Sequence, residues 1–148
     1  QFSCSPDSEL LFGNVDFVSP SNITVPVRLY SSFNFSTWMM RFGFMPAHPS
    51  AFMRRSAYSK VGLYMLGFKI GADFEWFVRA LLVHSLPFCK VDKVFVRMRT
   101  GGVSTSGFSS YVTTSLDLLR ALKVNNISSN LFFILCRLPV KFLHKLFR

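Results

Sequence analysis

Two acidic residues stand close together in the middle of the chain, where an apolar helical stretch begins. They are Asp73 and Glu75 in the segment GADFEWFVR, and the whole chain contains only seven acidic residues. A carboxylate in the first turn of a helix is stabilised by free backbone N–H groups and by the positive end of the helix. If it also faces a cleft, it can act as a general base. The alternative is a helix cap without chemistry, and the residue types leave both interpretations open.

His48 lies in a loop between Pro46 and Pro49. Proline fixes its own φ and restricts the residue before it, so this loop is predicted to be stiff. A stiff loop suits a side chain that must point at a ligand. The alternative is a structural histidine, since no second histidine lies near enough in sequence to indicate a metal pair.

A predicted strand over Lys90–Arg99 ends in basic residues followed by glycines. Side chains alternate along a strand, so Arg97 and Arg99 share one face. The segment TGGVSTSG (100–107) follows at once. Glycines let backbone N–H groups approach a phosphate, and guanidinium groups add charge and bidentate bonds, so the stretch predicts an anion site. The alternative is a polar strand end with a flexible turn, and the segment lacks the G-K-[ST] ending of a P-loop.

The composition indicates one folded domain with anionic partners. The chain has 148 residues, of which 50% are hydrophobic and 16% charged, and its formal net charge is +10. The apolar content excludes a disordered chain, and the positive charge favours nucleic acid, phosphorylated small molecules or an acidic membrane surface. Three widely separated cysteines indicate neither a zinc site nor a disulfide framework. No leader typical of a signal peptide is seen.

Periodicity and turn residues predict an alternation of strands and helices. The predicted strands are 10–18, with a bulge or bend at Gly13–Asn14, then 23–30 as an edge strand, a short extended run at 50–55, and 90–99. Predicted helices are 37–42, 56–62, 72–85, with Glu75 and Arg79 as an ion pair, and 109–123. For the last of these, an inner face is predicted at Val112, Leu116, Leu119 and Leu122.

The last part of the chain, residues 128–148, combines apolar and basic residues at helical spacing. Cations recur at Arg137, Lys141, Lys145 and Arg148, with a kink predicted at Pro139. A basic amphipathic helix is typical of segments that lie on an anionic membrane. The alternative is a terminal helix packed on the domain. Nucleic-acid binding stays open as a rival that the residues favour less, because basic and aromatic residues do not alternate on a strand and no DNA-binding motif is present.

Three segments in this order resemble the C-terminal half of a family 2 glycosyltransferase of the GT-A fold. They are MPAHPSAFMRRSAYSKVGLY, FKIGADFEWFVRAL and VFVRMRTGGVSTSG. They are most similar to bacterial enzymes that build capsule, O-antigen or other exopolysaccharide units. The resemblance implies an α/β fold, namely the acceptor-side part of a GT-A domain over residues 1–127, followed by the amphipathic tail at 128–148.

The resemblance also implies roles for particular residues. Asp73 matches the general base that deprotonates the acceptor hydroxyl in an inverting transfer, and Glu75, two residues on, is expected only to support it. His48 matches the loop beside the acceptor and donor-sugar pocket. The segment near the donor diphosphate is matched by Arg97, Arg99, Gly101, Gly102 and Ser104. Many members have two adjacent acids at the base, whereas here Ala72 precedes Asp73.

The resemblance further implies a nucleotide-sugar donor, a lipid-linked glycan acceptor and a location on the cytoplasmic face of the bacterial plasma membrane. A divalent metal, Mg²⁺ or Mn²⁺, is expected on the donor diphosphate. Its D-x-D ligands do not occur in this sequence. The chain is therefore expected to be a fragment that lacks the nucleotide-binding half and is inactive alone. The alternative function is a non-catalytic membrane-surface module.

Overall fold

Strand β1, Leu10–Val18, runs through the middle of a four-stranded mixed sheet in a computed structural model that describes residues 5–100 and 107–137. On one side it pairs in parallel with β4, Phe88–Arg99. On the other it pairs antiparallel with β3, Ala51–Met53, along its first half and with β2, Pro26–Tyr30, along its second. The predicted α/β class is confirmed at this level.

The sequence of β1 explains its central place. A nearly continuous apolar run is typical of a strand that is buried on both faces. Leu10 and Phe12 are fully buried, and Leu11 on the opposite face is also buried. β2 lies at the edge as predicted, because Pro26 has no N–H to give to a second neighbouring strand.

An irregularity lies where the sequence predicted a bulge. The register of β1 against β4 shifts on both sides of Asn14, and the longer β4 takes up the extra residues. The ring of Phe95 lies against Gly13, where an added Cβ would stand 2.2 Å from a ring carbon. A side chain at Gly13 is therefore incompatible with this position of Phe95. The glycine allows an aromatic ring to lie directly on the sheet.

Four α-helices lie within the described residues. They are α1 (Arg55–Val61), α2 (Ala72–Val78), α3 (Gly107–Val124) and α4 (Leu131–Leu135), with 3₁₀ helices at Thr37–Phe42 and His48–Ser50. The predicted helix 72–85 is present as α2 followed by a π-helical segment, Arg79–Val83. α1 ends as predicted at Gly62, whose φ of 87° favours glycine. None of the helices within 5–100 and 107–137 has the length and apolar character needed to cross a membrane.

The core forms between β1 and α2. Phe74, Trp76 and Phe77 of α2 are fully buried. The rings of Phe77 and Phe12 meet edge to face with centroids 5.7 Å apart. Edge-to-face aromatic pairs add to the stability that burial alone gives. All residues of α2 from Phe74 to Val78 are buried, so the helix lies inside the domain with Phe77 against β1.

The predicted inner face of α3 is wrong in part. Val112 is 42% exposed and Leu116 is 54% exposed, whereas Leu122 is buried as predicted. The buried face instead runs through Ser115 and Leu118. Ser115 faces inward because its hydroxyl accepts a hydrogen bond from a buried arginine of the C-terminal segment. A polar residue on the inner face cannot be found from apolar periodicity.

An ion pair joins the start of β1 to α1. Glu9 accepts hydrogen bonds from the Ser56 hydroxyl and the Lys60 ammonium group. These two bonds hold the pKa of Glu9 below its ordinary value of 4.5. Such a carboxyl stabilises the fold above its unfolded pKa and loses this effect as the pH falls through its folded value.

We therefore expect Glu9→Gln to lower the free energy of unfolding by about 1 kcal/mol near neutral pH, because Lys60 is itself half exposed. Below the folded pKa of Glu9 the variant and the original chain should have the same stability. Urea titrations over a pH series measure this. Lys60→Met should likewise make the free energy of unfolding depend less on pH in this range, because Glu9 loses its strongest partner. The prediction is contradicted if the free energy of unfolding of Glu9→Gln differs from that of the original chain by the same amount at every pH.

Candidate functional site

Asp73 lies in the first turn of α2, as predicted, with one carboxylate oxygen occupied and the other open. Its Oδ1 accepts a hydrogen bond from the backbone N–H of Phe74 at 2.8 Å. The side chain is 35% exposed, so solvent or a ligand can reach it. Gly71 is the N-cap residue of α2, and Asp73 satisfies one first-turn N–H through Oδ1 alone. Its Oδ2 is available for chemistry.

The structure brings His48 to Asp73, although 25 positions separate them in the sequence. His48 Nδ1 lies 4.0 Å from Asp73 Oδ2, and His48 Nε2 lies 3.3 Å from the Tyr64 hydroxyl. The imidazole also meets the ring of Phe77 edge to face at 5.9 Å. These contacts fix the ring while leaving it 39% exposed. Two predicted site residues therefore share one accessible surface.

The loop that carries His48 is held by hydrogen bonds to two buried serine hydroxyl groups. The backbone N–H of Ala47 donates to the Ser32 hydroxyl oxygen at 2.8 Å. The Ser50 hydroxyl donates to the carbonyl oxygen of Gly13 in β1 at 2.7 Å. Both serines are fully buried. The loop is thus tied to the segment after β2 on one side of His48 and to the central strand on the other.

Two tyrosines stand within electrostatic reach of Asp73. Burial raises the pKa of Tyr64, and the neighbouring Tyr58 hydroxyl and the charge of Asp73 raise it further. Burial also raises the pKa of Tyr30, with a smaller contribution in the same direction from Asp73. The Tyr30 hydroxyl donates to the carbonyl oxygen of Met45. Both phenols therefore stay protonated at neutral pH and serve as neutral hydrogen-bonding groups.

Sequence reasoning missed Asp117 of α3, which positions the approach to α2. Its Oδ2 accepts from the backbone N–H groups of Lys69, Ile70 and Gly71 at 2.9, 2.8 and 3.3 Å. A carboxylate that gathers three amides holds the loop just before Asp73 in one conformation. The available signal was a single acid among leucines in SLDLL.

Glu75 lies on another side of α2 from the Asp73 site and is fully buried. The predicted pair with Arg79 is confirmed, with Nε to Oε1 at 2.7 Å and Nη2 to Oε2 at 2.8 Å. Arg79 also donates to the carbonyl oxygens of Val61 and Leu63. Glu75 is thus part of the internal framework of the domain, and Asp73 is the acid that solvent reaches.

The predicted anion site is only partly within the described residues. Arg97 is 61% exposed at the side chain and its Nε lies 4.0 Å from Asp16 Oδ2 on the neighbouring strand. Arg99 is exposed at the end of β4. Gly101, Gly102 and Ser104 lie outside the described residues. The diphosphate-binding role of this segment stays a prediction.

The described part of the tail, up to Arg137, packs on the domain. Arg137 is 3% exposed, donates from Nη2 to Ser115 Oγ at 3.0 Å, and lies over the ring of Tyr111. Burial lowers the pKa of Arg137. This residue was predicted on the polar face of a membrane-bound helix, which its burial contradicts. Residues 138–148 lie outside the described part.

Among residues 5–100 and 107–137, no three His, Cys, Asp or Glu side chains are grouped as a metal site. No described side chain is therefore assigned to the expected divalent ion. Comparison of the chain with protein-family models, curated proteins and solved structures finds no match. The case for a function therefore depends on the residues themselves.

Proposed function

We propose that this chain is the acceptor-side part of an inverting glycosyltransferase of the GT-A fold, with Asp73 as the general base. The single observation that carries the proposal is the meeting of Asp73 and His48 on one accessible surface. The resemblance assigns a role to both, and both are held by contacts that leave one carboxylate oxygen and the imidazole accessible. The proposed donor is a nucleotide sugar and the proposed acceptor a lipid-linked glycan in bacterial surface polysaccharide synthesis.

In the proposed reaction, Asp73 Oδ2 takes the proton of an acceptor hydroxyl as that oxygen attacks the anomeric carbon of the donor sugar. The new glycosidic bond forms as the bond to the nucleoside diphosphate breaks, and the configuration inverts. The leaving diphosphate carries away the bonding electrons. The His48 ring, held by Tyr64 and Phe77, would orient the acceptor or the sugar by hydrogen bonding.

The diphosphate would be met by Arg97, Arg99 and the backbone of Gly101 and Gly102, with Ser104 beside them. This part of the proposal rests on the resemblance and on the exposed arginines of β4. The nucleotide and its divalent metal would be held by residues outside this sequence.

The proposed acceptor places the enzyme at the inner face of the plasma membrane. The net charge of +10 suits an anionic membrane surface. An alternative is a non-catalytic module that binds the membrane alone. The exposed apolar residues of α4, among them Phe132 at 71%, favour that second candidate.

The test uses the protein translated from the complete reading frame together with bacterial membranes. Radiolabelled nucleotide sugars are supplied one at a time, and label is measured in the lipid-extractable fraction. Transfer of label from one donor supports the enzyme. Membrane binding without transfer from any nucleotide sugar would overturn the proposal and favour the non-catalytic module.

A further inference from the structure

Two short helices present one apolar surface to solvent. Trp38 of the 3₁₀ helix Thr37–Phe42 is 62% exposed, and Phe132 of α4 is 71% exposed. Leu131, Phe133 and Leu135 of α4 are exposed by between 36% and 44%. We call these five residues the Trp38 surface. Single exposed apolar residues are ordinary, but a cluster of large ones marks an interaction site.

The two helices are fixed to each other, so the surface is built into the fold. The rings of Phe42 and Phe133 stack with centroids 5.0 Å apart, and Trp38 meets Phe42 edge to face at 5.9 Å. The Ser129 hydroxyl donates to the carbonyl oxygen of Arg41 at 2.6 Å. Behind them, Ile134 is fully buried and anchors α4 in the core. Trp38 and the aromatic residues of α4 therefore stay together as a unit.

A cleft of about 360 Å³ opens in the same region, lined only by apolar atoms. Its lining residues are Trp38, Met39, Phe42, Phe44 and Cys136. A small-molecule site normally includes a few polar groups that fix the ligand's orientation. A lining without polar groups suits a flexible hydrocarbon chain, which needs no hydrogen-bonding partner.

The charge of the segments around this surface has one sign. No acidic residue occurs between Asp16 and Asp73, and none follows Asp117. Arg41, next to the cleft residue Phe42, is exposed. The sequence directly after Arg137 adds Lys141, Lys145 and Arg148. A second copy of this chain would bring like charges together, whereas an anionic lipid surface is complementary.

We propose that the Trp38 surface docks on an anionic phospholipid bilayer, with part of one acyl chain in the adjoining cleft. Tryptophan inserts at the headgroup boundary, where its amphipathic ring is stable, and phenylalanine buries its apolar ring at the acyl boundary. The exposed Arg41, next to the cleft residue Phe42, would meet a lipid phosphate. This inference is independent of sugar transfer, because docking needs neither donor nor acceptor, and it places the contact on the folded domain.

The test uses the two tryptophans of the chain, which differ in exposure. Trp38 is 62% exposed, whereas Trp76 is fully buried and donates to the Gly62 carbonyl oxygen. Vesicles of phosphatidylglycerol and phosphatidylcholine with brominated acyl chains are added to the full chain. We expect Trp38 fluorescence to be quenched by the bromine atoms. In Trp38→Phe, the remaining Trp76 emission should not change on vesicle addition.

A matched pair of variants tests the surface without relying on fluorescence. Phe132→Ser should weaken partitioning into the vesicles roughly tenfold or more, because a large apolar side chain is lost from the contact. Leu66→Ser removes an apolar residue that is 91% exposed on the loop before α2 and should leave partitioning unchanged. Equal partitioning of both variants would overturn the proposal.

Two other occupants of the Trp38 surface would give distinct results, and either result would overturn the proposal of bilayer docking. If a second copy covers the surface, the chain elutes as a dimer and Trp38 is shielded from acrylamide without lipid. If residues 138–148 cover it, Trp38 is shielded in a monomer and vesicles cause no quenching. Neither result bears on sugar transfer, which is measured separately with the labelled donors.

Discussion

Replacing Glu75 by alanine is expected to lower the free energy of unfolding by about 3–5 kcal/mol, the largest stability effect we expect from one substitution. Glu75 is fully buried and both of its carboxylate oxygens bind Arg79. Asn125 adds a hydrogen bond to Oε1 at 3.1 Å. The alanine variant leaves the Arg79 guanidinium, 15% exposed, without its counter-charge inside the domain.

The effect extends beyond α2 because Arg79 also holds the end of α1. Its guanidinium donates to the carbonyl oxygens of Val61 and Leu63, which flank the glycine that ends α1. Loss of Glu75 removes the group that orients this guanidinium. The expected change is therefore one cooperative loss of stability, with the core around Trp76 unfolding at a lower urea concentration.

Urea denaturation followed by Trp76 fluorescence measures the prediction, with Trp38→Phe as the background. The double variant Glu75→Met with Arg79→Met is the control, because it removes both charges and leaves apolar volume. It should recover a large part of the lost stability, since an unpaired buried charge costs more than a missing pair. A loss below about 1 kcal/mol for Glu75→Ala would contradict the prediction. It would show that water reaches the Arg79 guanidinium and stabilises its charge in place of the carboxylate.

The elements that sequence patterns identified are those with a local cause. The apolar run of β1 required burial on both faces, and the proline at the start of β2 required an edge. Gly62 marked the end of α1 because its positive φ is unfavourable for other residues. In each case the signal lies within a few residues of its structural consequence.

The features that sequence patterns missed depend on contacts between distant segments. Asp117 gathers three amides of a loop that lies more than forty positions earlier in the chain. Arg137 lies buried against Ser115, which turns a polar position of α3 inward and moves its buried face away from Val112. Apolar periodicity weighs residues by hydropathy alone, so it assigns buried polar side chains to the outside.

The candidate site contains both kinds of feature, those that local sequence indicates and those that only the fold creates. His48 and Asp73 were each indicated by local context, the first by flanking prolines and the second by a helix start. The distance of 4.0 Å between His48 Nδ1 and Asp73 Oδ2 depends on tertiary structure, because it results from the packing of the His48 loop beside α2. Solvent access separates Asp73 from Glu75, which sequence spacing alone placed only two residues apart. Burial thus assigns one acid to the framework and leaves the other for chemistry.

Asp73→Asn is expected to lower the rate of sugar transfer by about 10²- to 10⁴-fold in the protein translated from the complete reading frame, because an amide cannot accept the acceptor's proton. Asparagine has nearly the same shape and its side-chain oxygen can still accept the Phe74 N–H bond. The fold and the binding of the donor should therefore be retained. The readout is the initial rate of label transfer to the lipid fraction at saturating donor.

Asp7→Asn is the matched control for this variant. It removes one negative charge at an exposed position before β1, so any general effect of net charge on membrane or donor binding appears there too. The base assignment requires that Asp7→Asn transfers at the original rate while Asp73→Asn does not. If both variants transfer at the original rate, Asp73 is only part of the first turn of α2, and the base must be sought elsewhere. A loss in kcat with unchanged KM for the donor separates a missing base from a damaged binding site, because an interaction made only in the transition state alters kcat alone.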